Sequence, residues 1–144
     1  MNKLRFALTL ACIAAIGAPA VAAPAVTIVT PGSEHWMPQP GNYSMAVLYG
    51  NPSGPGFYIV RLKAPPNWAF RPHTHPTREN VTIISGTLYF GLGTTYSPTK
   101  ANGYSAGTFA SIPAATPHFA LTKSTGAVFQ IEGMGPFKVM MIHK

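Results

Sequence analysis

The chain has no aspartate, and its only acids in 144 residues are Glu34, Glu79 and Glu132. With so few carboxylates there is no Ser-His-acid set, and an oxygen-rich site of the calcium or magnesium kind is excluded. Cysteine is as scarce. The single one, Cys12, lies near the N-terminus, so the rest of the chain has neither a thiol nor a disulfide and must fold on its core alone. The basic residues are scattered singly, with no Lys/Arg run. A nucleic-acid partner would want a clustered basic stripe, so none is expected. Long apolar runs are missing after the first residues. The one at the start, Phe6 to Ala18, is shorter than the roughly 20 residues that span a bilayer.

That opening stretch has the form of a secretory signal. Lys3 and Arg5 precede the apolar run, and Ala20-Val21-Ala22 supplies a small-x-small cleavage pattern. Cleavage after Ala22 is expected, leaving residues 23–144 as one domain in the periplasm or exterior, with no membrane contact afterwards. Acylation of Cys12 is the other reading, but Thr9-Leu10-Ala11 is a poor lead-in for it. The mature chain keeps eight basic side chains against three acids, a net charge of +5. That balance suits solubility and gives a mild attraction for small anions.

What is abundant is glycine and proline. With 14 and 15 copies they make up about a fifth of the chain, against about 12% on average. They punctuate short runs rich in Val, Ile, Phe, Tyr and Thr, which is an all-β pattern. The runs are 26–30, 45–49, 57–63, 80–85, 87–92, 108–112, 118–122, 127–132 and 137–143. In 57–63 the alternation puts Phe57, Ile59, Arg61 and Lys63 on one face and Tyr58, Val60 and Leu62 on the other. Ser53-Gly54-Pro55-Gly56 reads as a turn, and Gly133-Met134-Gly135-Pro136 as the turn of a closing hairpin. Many short strands at this spacing predict a sandwich or barrel.

Against this background one cluster stands out: His73-Thr-His75-Pro-Thr-Arg-Glu79, with His118 further on. Residues two apart on a strand point the same way, so His73 and His75 can aim at one point. Pro76 breaks the strand, the chain turns, and Glu79 returns toward the same point, while His118 arrives from a separate strand. Imidazole nitrogen with carboxylate oxygen suits a divalent first-row transition ion: Fe, Mn, Ni, Cu or Zn.

The stretch resembles the cupin superfamily. Its first motif, G-x5-H-x-H-x3-E-x6-G, is met from Asn67 through His73, His75 and Glu79 to Gly86. Its second, G-x5-P-x-G-x2-H-x3-N, is met from Gly107 through Pro113 and His118 to Thr122. Asn67, Ala115 and Thr122 replace Gly, Gly and Asn. Asn67 can hold a positive φ; Ala115 implies a turn that needs none; Thr122 keeps a hydroxyl. The run Glu79 to Gly86 and the late Gly-Met-Gly-Pro-Phe are similar to those of small secreted single-domain cupins. The resemblance implies a single jelly-roll β-barrel with one metal bound by His73, His75, Glu79 and His118. On an octahedral ion two positions would then stay open for water or substrate.

Two functions follow from that expectation. One is a metalloenzyme, dioxygenase-like first, acting on a small carbonyl, enol or aromatic compound. The other is a non-catalytic periplasmic module that captures a small molecule. Few groups are available to assist. Glu132 can serve as a base, Gln130 can orient a ligand, and Arg71 can reach the barrel mouth, although each is also readable as a rim residue. Phe70, Tyr89, Phe119 and Phe129 read as core or pocket wall, and Arg61, Lys63, His35 and His143 as surface. A homodimer through edge strands is the expected assembly.

Overall fold

The structure, a computed structural model, describes residues 25–143; the expected signal segment 1–22 and its expected cleavage point lie outside the described residues. Among the described residues ten strands carry the fold: β1 (Met37–Gln39), β2 (Tyr43–Tyr49), β3 (Gly56–Ala64), β4 (Ala69–Thr74), β5 (Glu79–Leu92), β6 (Asn102–Ser105), β7 (Phe109–Ile112), β8 (His118–Leu121), β9 (Ala127–Gly135) and β10 (Met140–Met141). A single 3-10 turn, Pro98–Lys100, interrupts the β5–β6 connection.

The long β5 organises the molecule. Its first half lies between β9 and β7, in a sheet that continues through β3 and β2 to β1. Its second half lies between β8 and β6, in a sheet that continues through β4 to β10. All pairs are antiparallel, and the two sheets close on each other as a jelly-roll barrel. The strand changes sheets near Gly86, where the ladder slips between Ile83 and Ser85 and Gly86 has φ 74°. A Cβ at Gly86 would meet the carbonyl oxygen of Gly126. The two runs expected at 80–85 and 87–92 are therefore one strand, because glycine lets the bend occur without leaving the ladder.

The alternation in β3 is observed as read: Tyr58, Val60, Leu62 and Ala64 are buried. They meet Val81 and Ile83 of β5, Leu88 beyond the bend, and Phe129 and Ile131 of β9. Each fully buried side chain of this size contributes roughly 1.5–3 kcal/mol. Trp68 closes one end, its indole N–H donating to the Gly41 carbonyl at 2.9 Å.

Several expectations are corrected. Residues 26–30 have no sheet partner, and Val26 and Ile28 are 85% and 78% exposed; β propensity without a ladder does not make a strand. β4 went unread because Arg71 and Pro72 break its apolar alternation. It survives through a register shift between Phe70 and His73, where proline's missing donor does no harm. The closing hairpin does not form. Gly133 to Gly135 stay in the ladder against Tyr58, Phe57 and Gly56, and the chain then crosses to the other sheet, where β10 pairs with β4. Gly133 is needed for close approach: a Cβ there would sit 3.0 Å from the Arg78 carbonyl oxygen and 3.1 Å from the Tyr58 hydroxyl. Arg61 is not a free surface cation either. It is half-buried and paired with Glu34 at 2.7 Å.

The three motif departures behave differently. Asn67 takes φ 57° and holds its turn. Thr122 is buried, its hydroxyl donating to the Pro65 carbonyl at 2.6 Å and accepting from the Trp68 N–H at 2.9 Å. Ala115 contradicts expectation, with φ 59° in the left-handed region. Its N–H is directed at the His75 carbonyl oxygen, 2.8 Å away, and that bond fixes the backbone there despite the Cβ.

Candidate metal centre

His73 lies on β4, His75 just beyond its end, Glu79 at the first position of β5 and His118 at the first position of β8. Pairing of β4 with β8 sets His73 directly opposite His118. All four side chains are buried, between 3% and 6% exposed. One donor nitrogen from each of the three histidines lies within 4.8 Å of the others. Glu79 is not one of that group, but the proline-containing turn after His75 brings it back beside His75 and His118.

The other ring nitrogen of each histidine is occupied. Nδ1 of His73 is 2.7 Å from the Arg71 carbonyl oxygen, Nδ1 of His75 is 2.7 Å from that of Lys138, and Nδ1 of His118 is 2.9 Å from that of Thr116. A carbonyl only accepts, so the proton of each neutral ring sits on Nδ1 and the lone pair on Nε2 is free. Histidines that hold metals are oriented in this manner. Packing fixes the rings further. Phe137 stacks on His75 with centroids 5.3 Å apart at 15°, and Phe90 stacks on His118 at 5.2 Å and 29°.

Glu79 spans two of the rings. Its Oε1 is 3.4 Å from His75 Nε2 and its Oε2 is 3.4 Å from His118 Nε2. The buried His75 Nε2 nevertheless has no hydrogen-bond partner. Two donors each about 2.1 Å from a shared ion would sit roughly 3.0–3.4 Å apart, depending on the angle between them. The orphaned nitrogen, the 3.4 Å separations and the nitrogen–oxygen donor set all fit a transition ion. Burial pushes the His73 imidazole down to about 4, with the neighbouring His118 adding to the effect, which keeps this ring neutral and available as a ligand. Burial, and then the Glu79 carboxylate, push the Tyr58 phenol up to about 12.

The histidines open into a cavity of about 500 Å³ between the two sheets. Its wall is mostly apolar and aromatic, with Trp68, Phe70, Phe90, Phe129 and Phe137 prominent.

No family model and no curated protein matches the chain. Solved structures do. The polyketide cyclase RemF from Streptomyces resistomycificus superposes with a TM-score of 0.68 at 17% identity, over 83% of this chain and 87% of that one. An RmlC-like cupin from Shewanella frigidimarina gives 0.61 at 13% identity, over 76% and 91%. The chain has the cupin fold. KdgF from Halomonas sp. shares it with a TM-score of 0.58 at 14% identity, over 76% and 94%.

Within this cupin fold the three weaker candidates stay out of the site. Gln130 and Glu132 lie on the outer face of β9, because Phe129 and Ile131 between them line the cavity. Gln130 instead accepts a bond from Arg61 at 3.2 Å. Arg71 is exposed, with its guanidinium 4.4 Å over the Tyr96 ring. Phe70 and Phe129 are cavity wall as expected. Phe119 packs on Tyr96 and Tyr89 sits under Lys123, neither of them lining the cavity. His35 and His143 are exposed. The sequence reading missed Lys138, whose contribution is a backbone carbonyl and carries no side-chain signal. By sequence Phe137 reads only as the start of the last strand, following the turn at 133–136.

Proposed function

We propose that this protein is a secreted, mononuclear metal-dependent enzyme acting on a small carbonyl, enol or aromatic compound, dioxygenase-type oxidation being the first reading. The observation that carries it is the set of three buried Nε2 lone pairs, each oriented by a carbonyl on Nδ1, facing Glu79 at the end of an apolar cavity. A bound divalent Fe, Mn, Ni, Cu or Zn would supply Lewis acidity at its open positions and, if redox-active, a path for electrons to O2. His73, His75 and His118 would hold it through Nε2, with Glu79 adding a carboxylate oxygen. The Arg71, Lys138 and Thr116 carbonyls keep the ring protons on Nδ1. The aromatic wall excludes water and strengthens every electrostatic contact within. Glu79 is the carboxylate placed to accept a proton from a substrate hydroxyl bound beside it. Shared fold with a polyketide cyclase supports a catalytic role, and the first 22 residues support export to the periplasm or exterior, with 23–144 as one domain.

A second reading, a non-catalytic module that captures a small molecule, is favoured by one fact. Among the described residues, Glu79 and the three histidines are the only ionisable groups lining the cavity besides tyrosine.

Metal content tests both. The purified protein is expected to carry near-stoichiometric metal by elemental analysis, and His75→Ala and Glu79→Ala are each expected to lose most of it. Absence of metal under every loading condition would sink both readings. With metal present, O2 uptake with diketones and diols identifies the enzyme; tight uptake without turnover identifies the binder.

A further inference from the structure

We infer that the cavity takes an uncharged aromatic ligand whose apolar remainder lies along the barrel's open side, between the β6 and β7 edges. This deepens the proposed function, and rests on it only for which end of the ligand faces the histidines.

The first observation is where charge is absent. The described residues include seven Lys and Arg, and none of these lines the cavity. Arg61 is tied to Glu34 and Arg71 lies over Tyr96. Arg78 does not line the cavity, and its guanidinium is engaged at the rim, donating to the hydroxyl of the lining residue Ser111 at 3.0 Å, which in turn donates to Asn80. Among the described residues the only carboxylate lining the cavity is Glu79. A ligand carboxylate or phosphate away from the metal would therefore be desolvated with no cation to meet it and with Glu79 repelling it. Burying such a charge unpaired is strongly unfavourable. With none of its described Lys and Arg lining the cavity, a basic protein selects there against the anions its surface attracts.

The second observation is where apolar surface is left exposed. β6 and β7 are edge strands, one in each sheet, each pairing only with β5. Leu92, Tyr104 and Phe109 line the cavity, yet are 69%, 39% and 59% exposed. They are continuous with the buried aromatic wall, so a ligand longer than the inner chamber covers them as it leaves. At about 500 Å³ the chamber is within the roughly 300–1,000 Å³ usual for small-molecule sites.

Fluorescence titration of chelator-stripped protein near neutral pH, with 2-naphthol and 2-naphthoate as probes, tests this. The probes share a ring system and differ in charge. Naphthol is expected to bind at least about tenfold more tightly, equivalent to about 1.4 kcal/mol. Phe109→Ser should weaken naphthol binding about threefold or more. Phe57→Ser, at a position 45% exposed and outside the cavity, should leave it unchanged. Equal or tighter naphthoate binding, no naphthol binding, or equal losses in the two variants would overturn the inference. The metal is scored separately: naphthol selectivity in a protein that never loads metal would remove the metal reading and leave this one standing.

Discussion

Ala115 carries a strain that glycine would not. Its φ of 59° costs an L-residue about 1–2 kcal/mol, offset in part by the extra chain entropy of glycine, about 0.4–1 kcal/mol. Ala115→Gly is expected to raise stability by about 0.5–1 kcal/mol in urea denaturation while leaving metal content unchanged. His73 gives a pH dependence. Its folded pKa of about 4 lies below the ordinary histidine value of 6.5, so above pH 6.5 both folded and unfolded chains hold it neutral. As pH falls, the unfolded chain takes the proton first and stability is lost between 6.5 and 4, then levels off. For metal-free protein the loss from this group is on the order of 3 kcal/mol. His73→Gln should flatten that part of the stability–pH curve; an unchanged slope would refute the assignment. The four clustered residues were legible because they are scarce and their spacing matches strand parity. Gln130 and Glu132 were misplaced at this same scale. Their shared parity was seen, but the opposite parity, Phe129 and Ile131, is the one turned inward.

At the scale of elements, the C-terminal strap has the largest unread role. After β9 ends at Gly135, the Lys138 carbonyl accepts from His75, Phe137 stacks on the same ring, and β10 pairs Met141 with His73. The Phe137 N–H is anchored to the Pro52 carbonyl at 2.7 Å and that of Ile142 to the Pro72 carbonyl at 2.9 Å. Outer partners of metal-binding histidines typically account for about 10–100-fold in metal affinity. Removing residues 138–144 is therefore expected to weaken zinc binding by about that factor in a competition assay, and Phe137→Leu by less. A thermal melt checks that the remaining strands stay folded, and undiminished affinity in a folded truncation would refute the role. These contacts could not be read locally: the run 137–143 looks like half of a hairpin, and only the uninterrupted β3–β9 ladder forces the chain across to the other sheet.

For the whole molecule, chain composition and local pattern settle a good deal. Frequent glycine and proline between short β-branched and aromatic runs determine an all-β chain. The alternation of β3 determines which of its faces is core. The spacing of His73, His75 and Glu79 determines that they can share a point, because strand parity and a proline break act over a few residues. Tertiary structure alone decided the rest. It joined 79–92 into one strand serving two sheets and set His118 opposite His73. It also brought Lys138 to His75 across 63 residues, and left the β6 and β7 edges open beside an aromatic chamber. Each of those depends on which strands pair over long range, and pairing is chosen by closure of the whole barrel over its core, which no short stretch of sequence encodes.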